Sequence, residues 1–187
     1  MQVKSDLALV ILPPDEVSGV LDILRAQHNE KGFAKWPCHA SLFLSIPASI
    51  LEIASLPMAP FRVRGDCISV RKKYLMLDLE DCEPLDAKSQ KLSKGKKSNK
   101  KKQSKAPMAT RIGQLESMIA EQLHIPPEEH GAPHITLGNM SQDVIERVAE
   151  QVREEFEPVE FLVEELVVLQ QQGKRYHSVH HIRLDGK

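Results

Sequence analysis

The hydrophobic positions of the chain switch between two periods, and the switches mark the elements. Residues 6–13, DLALVILP, form a nearly continuous apolar run closed by Pro13-Pro14, which predicts a buried strand with a sharp exit. Over PDEVSGVLDILRAQHNE the period lengthens: Val17, Val20, Leu21 and Leu24 fall on one helical face, and Asp15 and Glu16 stand in the first turn, where they suit the dipole. CHASLFLSIP returns to alternation. His39, Ser41, Phe43 and Ser45 are set against Ala40, Leu42, Leu44 and Ile46, predicting a strand with one polar and one buried face. ASILEIASL predicts a short helix between prolines, and FRVRGDCISVRKKYLMLDLE two strands joined near Ser69 to Lys73.

The second half repeats this order. ATRIGQLESMIAEQLH carries Ile112, Leu115, Ile119 and Leu123 at helical spacing, and PHITLG is a strand with His134 and Thr136 on one face and Ile135 and Leu137 on the other. SQDVIERVAEQVREEF predicts a helix with Ser141 as N-cap and Val144, Ile145, Val148 and Val152 on one side. VEFLVEELVVLQ and RYHSVHHIRL then predict a strand pair around Gln172-Gly173-Lys174. The simplest account is an α+β chain of two related lobes, repeated in pattern and not in residue identity. Between the halves, residues 86–107 are rich in Lys and Ser and have neither period, which predicts a disordered inter-lobe insertion. Its KGKKS string lacks the first glycine of a phosphate loop, since that position holds Gln90.

Composition narrows the class. At 187 residues, 41% hydrophobic and 27% charged, the chain has the make-up of one soluble domain, and no apolar run is long enough for a membrane span. The three cysteines, Cys38, Cys67 and Cys82, are odd in number and widely spaced, so reduced thiols, no signal peptide and a cytoplasmic or nuclear location are expected. The net charge of -1 conceals a split. Nine of the 25 basic residues lie in Lys88–Lys105; the remaining sixteen face 26 acids, so the rest of the chain carries -10. General affinity for a polyanion therefore belongs to the lysine segment alone, as contact with RNA or an import receptor, and phosphate chemistry elsewhere requires a local site.

His39-Ala40-Ser41-Leu42 and His134-Ile135-Thr136-Leu137 share the form His-x-[Ser/Thr]-Leu, each in a strand followed by a helix. One such tetrapeptide is weak evidence; a pair in matching contexts is strong. If the lobes face each other, two imidazoles and two hydroxyls converge, the set that metal-free phosphodiester chemistry needs. The pair of motifs and the repeated element order resemble the two-histidine (2H) phosphoesterase superfamily, which includes 2'-5' RNA ligase-like proteins and 2',3'-cyclic nucleotide phosphodiesterases. The resemblance covers nearly the whole chain apart from the lysine segment and rests mainly on HASL and PHITLG; KWPCHASL departs from the common pattern in placing Cys38 directly before the histidine.

That resemblance implies a single domain over 1–187, bilobal, with two antiparallel-sheet lobes and outer helices around a central cleft. It implies that His39 and His134 are catalytic and that Ser41 and Thr136 bind phosphate. One neutral imidazole would take a proton from the attacking oxygen and the other would give one to the leaving ribose oxygen; a reference pKa of about 6.5 suits histidine to either part. Neither metal nor cofactor is required. Substrates in the family are 2',3'-cyclic phosphates, 2'-5' linkages or RNA 3' ends, and several members bind nucleotides within larger assemblies. A monomeric enzyme acting on RNA or nucleotides is expected, with a non-catalytic nucleotide- or RNA-binding module as the alternative.

The remaining candidates are weaker. Tyr176, which opens the last strand, is the best base-stacking residue, while Phe33 and Trp36 serve equally well as core. Among Arg62, Arg64, Arg71, Lys72 and Lys73 some can meet a phosphate and others face water. His124, His130 and His134 lack the spacing of zinc ligands, and strand alternation sends His177 and His181 to one face and His180 to the other as surface residues. A serine hydrolase using Ser41 and His134 would lack the G-x-S-x-G elbow.

Overall fold

A computed structural model of the chain describes residues 6–82, 110–126 and 133–186. The elements in chain order are β1 (Leu7–Ile11), α1 (Asp15–His28), α2 (Glu30–Lys35), β2 (Ala40–Leu44), a 3₁₀ turn (Ala48–Glu52), β3 (Ser55–Leu56), β4 (Phe61–Arg71), β5 (Tyr74–Asp81), α3 (Arg111–Leu123), β6 (His134–Asn139), α4 (Gln142–Glu155), β7 (Val159–Val163), β8 (Glu165–Gln172) and β9 (Arg175–Leu184). The nine strands form one sheet in the order β3-β9-β8-β1-β2-β6-β5-β4-β7, antiparallel except where β3 meets β9. Among the described residues no helix is long and apolar enough to cross a membrane. The lysine-rich segment at 86–107 lies outside the described residues.

Each half of the chain lends strands to both ends of this sheet. β5 and β4, from the first half, pair with β6 and β7; β8 and β9, from the second, pair with β1 and β3 respectively. The expected grouping of the first half into one lobe and the second into the other is therefore corrected. Likewise VEFLVEELVVLQ is two strands and not one. It breaks at Glu164, sending β7 to one edge beside β4 and β8 to the other side beside β1. β7 alternates in burial while β8 is buried on both faces over Leu166–Leu169, so the apolar residues run on past the break and the pairing reveals it. ASILEIASL likewise resolves into the 3₁₀ turn and the short β3, which follows β9 in parallel.

The core lies mainly on one side of the sheet. Leu7, Leu9 and Ile11 of β1 join Ala40 and Leu42 of β2, Ile135 and Leu137 of β6, and the inward stripes of α1, α3 and α4 in one buried cluster. The opposite side carries a small second cluster of Ala8, Val10, Val167 and Leu169, covered by Leu12, Trp36 and Tyr176. β1 is thus buried on both faces, which is why its sequence reads as an unbroken apolar run. On α1 the buried stripe centres on Leu21 and Arg25, with Val17 and Leu24 partly covered; Val20, expected inside, is 53% exposed because it lies a full step off that stripe. α3 begins where Thr110 Oγ1 accepts from the Gly113 amide at 3.0 Å and the Asp81 carboxylate of β5 accepts from the Arg111 amide.

Candidate functional site

The two motif strands are built alike. Val10 pairs with Ser41 and Leu9 with Phe43, leaving Leu42 as an extra residue in β2. Met76 pairs with Thr136 and Leu75 with Gly138, leaving Leu137 as an extra residue in β6. Each motif therefore ends in a β-bulge on its own leucine, and the bulge turns the next residue inward. Phe43 is fully buried and Leu44 is 49% exposed, the reverse of their expected sides. The alternation inferred for CHASLFLSIP holds from His39 to Ser41 and changes phase beyond it. Burial follows the same order in both strands: His and Ser or Thr half-buried, the residues between and after them buried, and Leu44 or Asn139 exposed.

β2 and β6 meet at one residue pair, Ala40 with Ile135, the middle residues of the two motifs. Antiparallel pairing at that point runs His39 alongside Thr136 and Ser41 alongside His134. Because Ala40, Leu42, Ile135 and Leu137 point into the main core, the four polar side chains share the opposite face. The convergence expected from the sequence is thus present at a single seam of the sheet.

The surroundings of the two imidazoles differ. His39 Nδ1 donates to the Pro37 carbonyl at 2.8 Å, which leaves Nε2 as the acceptor of the neutral ring. Its ring stacks on Trp36 with centroids 5.0 Å apart. Burial lowers the His39 pKa to about 4; the Pro37 bond opposes this, and the nearby Arg25 and His134 add to it. His39 is therefore neutral at physiological pH. Arg25, only 3% exposed, ties α1 to the segment before the motif by donating to the Trp36 carbonyl at 2.8 Å and to the Asp22 carboxylate. Cys38 is buried beside it, and burial, opposed by Arg25, pushes its thiol up to about 12, so this residue packs as a neutral group.

On the other strand, Asp78 of β5 stands directly opposite His134, and Arg71 of β4 donates to the Asp78 carboxylate at 2.9 Å. Met76, buried, stands opposite Thr136. Sequence inspection named Arg71 only within a group of five cations and did not single out Asp78 at all. Register alone brings Asp78 to His134, and no local pattern carries that information. Of the other arginines, Arg62 pairs with Glu160 at 3.3 Å and Arg64 with Asp66 at 2.9 Å.

Tyr176 stacks on Trp36 with centroids 3.4 Å apart, and Trp36 in turn stacks on His39. The tyrosine thus backs the tryptophan and meets the motif histidine only through it. Lys35 Nζ lies 5.4 Å from the Tyr176 ring centre. Phe33 is 42% exposed beneath the Arg25 guanidinium, at 5.9 Å. A third bulge, at Val179 of β9, places His177 and His180 on one side and His181 on the other, correcting the simple alternation expected there. His180 Nε2 donates to the Ile53 carbonyl at 2.7 Å and so fastens the loop leading to β3. Of the three histidines considered for zinc, His130 lies outside the described residues; among those described, no three His, Cys, Asp or Glu side chains form a group able to hold a metal ion.

No curated protein matches the chain. The family model of the 2'-5' RNA ligase superfamily matches residues 13–175, a span that takes in both motif strands with their bulges and begins just after β1, the strand beside β2. With most of its length so matched, and with two His-x-[Ser/Thr]-Leu strands joined at their centres, the chain belongs to the 2'-5' RNA ligase superfamily, the two-histidine phosphoesterases.

Proposed function

We propose that this protein hydrolyses a 2',3'-cyclic phosphate or a 2'-5' phosphodiester at an RNA end or in a small nucleotide, with His39 as general base and His134 as general acid and without a metal. The observation that carries the proposal is the single Ala40–Ile135 pairing, which sets two imidazoles and two hydroxyls on one face. His39 is the base because its Nδ1 proton is committed to Pro37, its Nε2 is unprotonated, and its surroundings disfavour the charged form. His134, opposite the Asp78 carboxylate, is left to protonate the departing ribose oxygen. Ser41 and Thr136 hydroxyls donate to the non-bridging oxygens as charge builds on them in the five-coordinate transition state.

The step balances simply. The water oxygen forms a bond to phosphorus as its proton passes to His39 Nε2; the P–O bond to ribose breaks as that oxygen takes a proton from His134. An anionic phosphodiester beside His39 favours the imidazolium formed there, so a base that is weak in the empty site strengthens when substrate binds.

The test is turnover of a short RNA with a 2',3'-cyclic phosphate end, run in chelator, for wild type, His39→Ala and His134→Ala. Each variant should lose about 10²–10⁴-fold in turnover if a general acid or base is removed. Loss of wild-type activity on adding chelator would overturn the metal-free scheme. RNA binding that persists in all three proteins without turnover of cyclic or 2'-5' substrates would establish a nucleotide-binding module instead.

A further inference from the structure

A second group of titratable and nucleophilic side chains lies on β8 and β9, three strands from the first motif. Ser178 Oγ is 2.8 Å from His181 Nε2, and His181 Nδ1 is 2.7 Å from Glu165 Oε1. Neither histidine pattern nor serine spacing announces this trio. In a regular strand residues 178 and 181 would face opposite ways; the extra residue Val179 lets both face the same way. Val167 pairs with His181, and Glu165, two residues earlier on β8, reaches it diagonally on that same face. Ser41, Val10, Val167 and His181 are successive cross-strand partners, so the trio sits about 14 Å from Ser41 at the usual spacing between strands.

A carboxylate only accepts, so His181 Nδ1–H donates to Glu165; when the ring is neutral, Nε2 is the acceptor for the Ser178 hydroxyl. All three residues are exposed, with His181 at 51% and Glu165 at 44%, so the bonds do not serve to satisfy buried polar groups. Arg183, the cross-strand partner of Glu165, adds a cation at the same corner. This is the order nucleophile, base, orienting carboxylate.

We propose that Ser178 is a base-activated nucleophile that takes an acyl group from a small activated ester, at a site separate from the two motif strands. Ser178 Oγ forms a bond to the acyl carbon while its proton passes to His181 Nε2. The ester C–O bond then breaks, and the departing alkoxide or phenoxide takes that proton, so acyl-serine and an alcohol or phenol are the products. Water repeats the sequence to release the acid. Glu165 is a positioning residue that holds the imidazole in the tautomer with Nε2 free.

The experiment uses the full chain with a fluorophosphonate, which captures an activated serine by displacement of fluoride, and locates the adduct by peptide mass mapping. Turnover of p-nitrophenyl acetate is followed in parallel. The adduct is expected on Ser178, absent in Ser178→Ala, and formed about 10²–10⁴-fold more slowly in His181→Gln, the range a general base contributes. Glu165→Gln should slow labelling, because an amide that donates to Nδ1 favours the opposite tautomer, while Glu165→Asp should restore part of the rate. Absence of a Ser178 adduct, or a rate unchanged in His181→Gln, would overturn the proposal. So would equal rates for Glu165→Gln and wild type, as far as the role of Glu165 is concerned. These outcomes do not depend on phosphodiesterase activity at His39 and His134.

Discussion

The β2 and β6 motifs present the same backbone and different chemistry. Each places a histidine and a hydroxyl on the face away from the main core, ends in a bulge at leucine and touches the other at its middle residue. Around His39, however, are Trp36, the Pro37 carbonyl and the buried Arg25; opposite His134 is a carboxylate held by Arg71. A near-symmetric scaffold can thus supply two identical side chains for opposite proton-transfer tasks. The symmetry brings them together, and their unlike neighbours divide the work.

Several measurements would break or sharpen this contrast. The largest effect concerns the roles themselves. On a phosphodiester with a nitrophenol leaving group, which departs without a proton, His134→Ala should recover to within about tenfold of wild type, while His39→Ala should remain down by about 10²-fold or more. Equal recovery of both variants would contradict the assignment of base and acid.

Next is the fastening of the His39 side. Arg25→Ala removes a buried cation together with its bonds to Trp36 and Asp22, and should cost about 3 kcal/mol of unfolding free energy, read from the urea midpoint. Asp78→Asn, on the other side, should leave stability nearly unchanged.

A pH series separates the two surroundings further. The folded-state pKa of His39, about 4, lies below its unfolded value, so the unfolded chain takes up the proton first as the pH falls. Its contribution to stability is complete above about pH 6.5 and is lost progressively down to about pH 4, a difference of about 3 kcal/mol. Wild type should lose that much more than His39→Asn over the interval, measured by urea unfolding at each pH. Equal losses would show that the His39 site is wet. Trp36→Leu, which opens the ring to water, should move the acid limb of the rate profile upward toward the ordinary imidazole range.

The smallest expected change is Asp78→Asn in turnover. Replacing one charge-assisted acceptor beside His134 is worth about 1.5 kcal/mol, or about tenfold, and should leave the acid limb due to His39 in place. A movement of that limb would mean that Asp78 acts on both histidines.

Much of the site was legible from the chain because its information is local. His39 with Ser41, and His134 with Thr136, share a face by simple alternation over three residues, and that short stretch survives unchanged. Alternation failed one residue later. A bulge depends on the partner strand having one residue fewer, and nothing in SLFL or TLG states how many residues β1 or β5 will set against it. The same reason hid the Ser178–His181–Glu165 trio. Tyr176 reads from the sequence as a base-stacking residue that opens the last strand; its contact with Trp36 depends on where the α2–β2 connection crosses β9.

By itself, then, the sequence determined the type of the long helices and strands, the burial of β1, the motif pairs and the family to which they point. Those follow from the periods of 3.6 and 2 that backbone geometry imposes on side chains. Tertiary structure decided which strands pair, with β5 and β4 crossing to β6 and β7, and β8 and β9 returning to β1 and β3. It also decided that the two motifs meet through Ala40 and Ile135, and that one histidine is held by Trp36 and the Pro37 carbonyl while the other faces a carboxylate. Those outcomes depend on contacts between residues tens of positions apart, chosen by how the whole sheet buries its apolar face, and such contacts leave no local pattern along the chain.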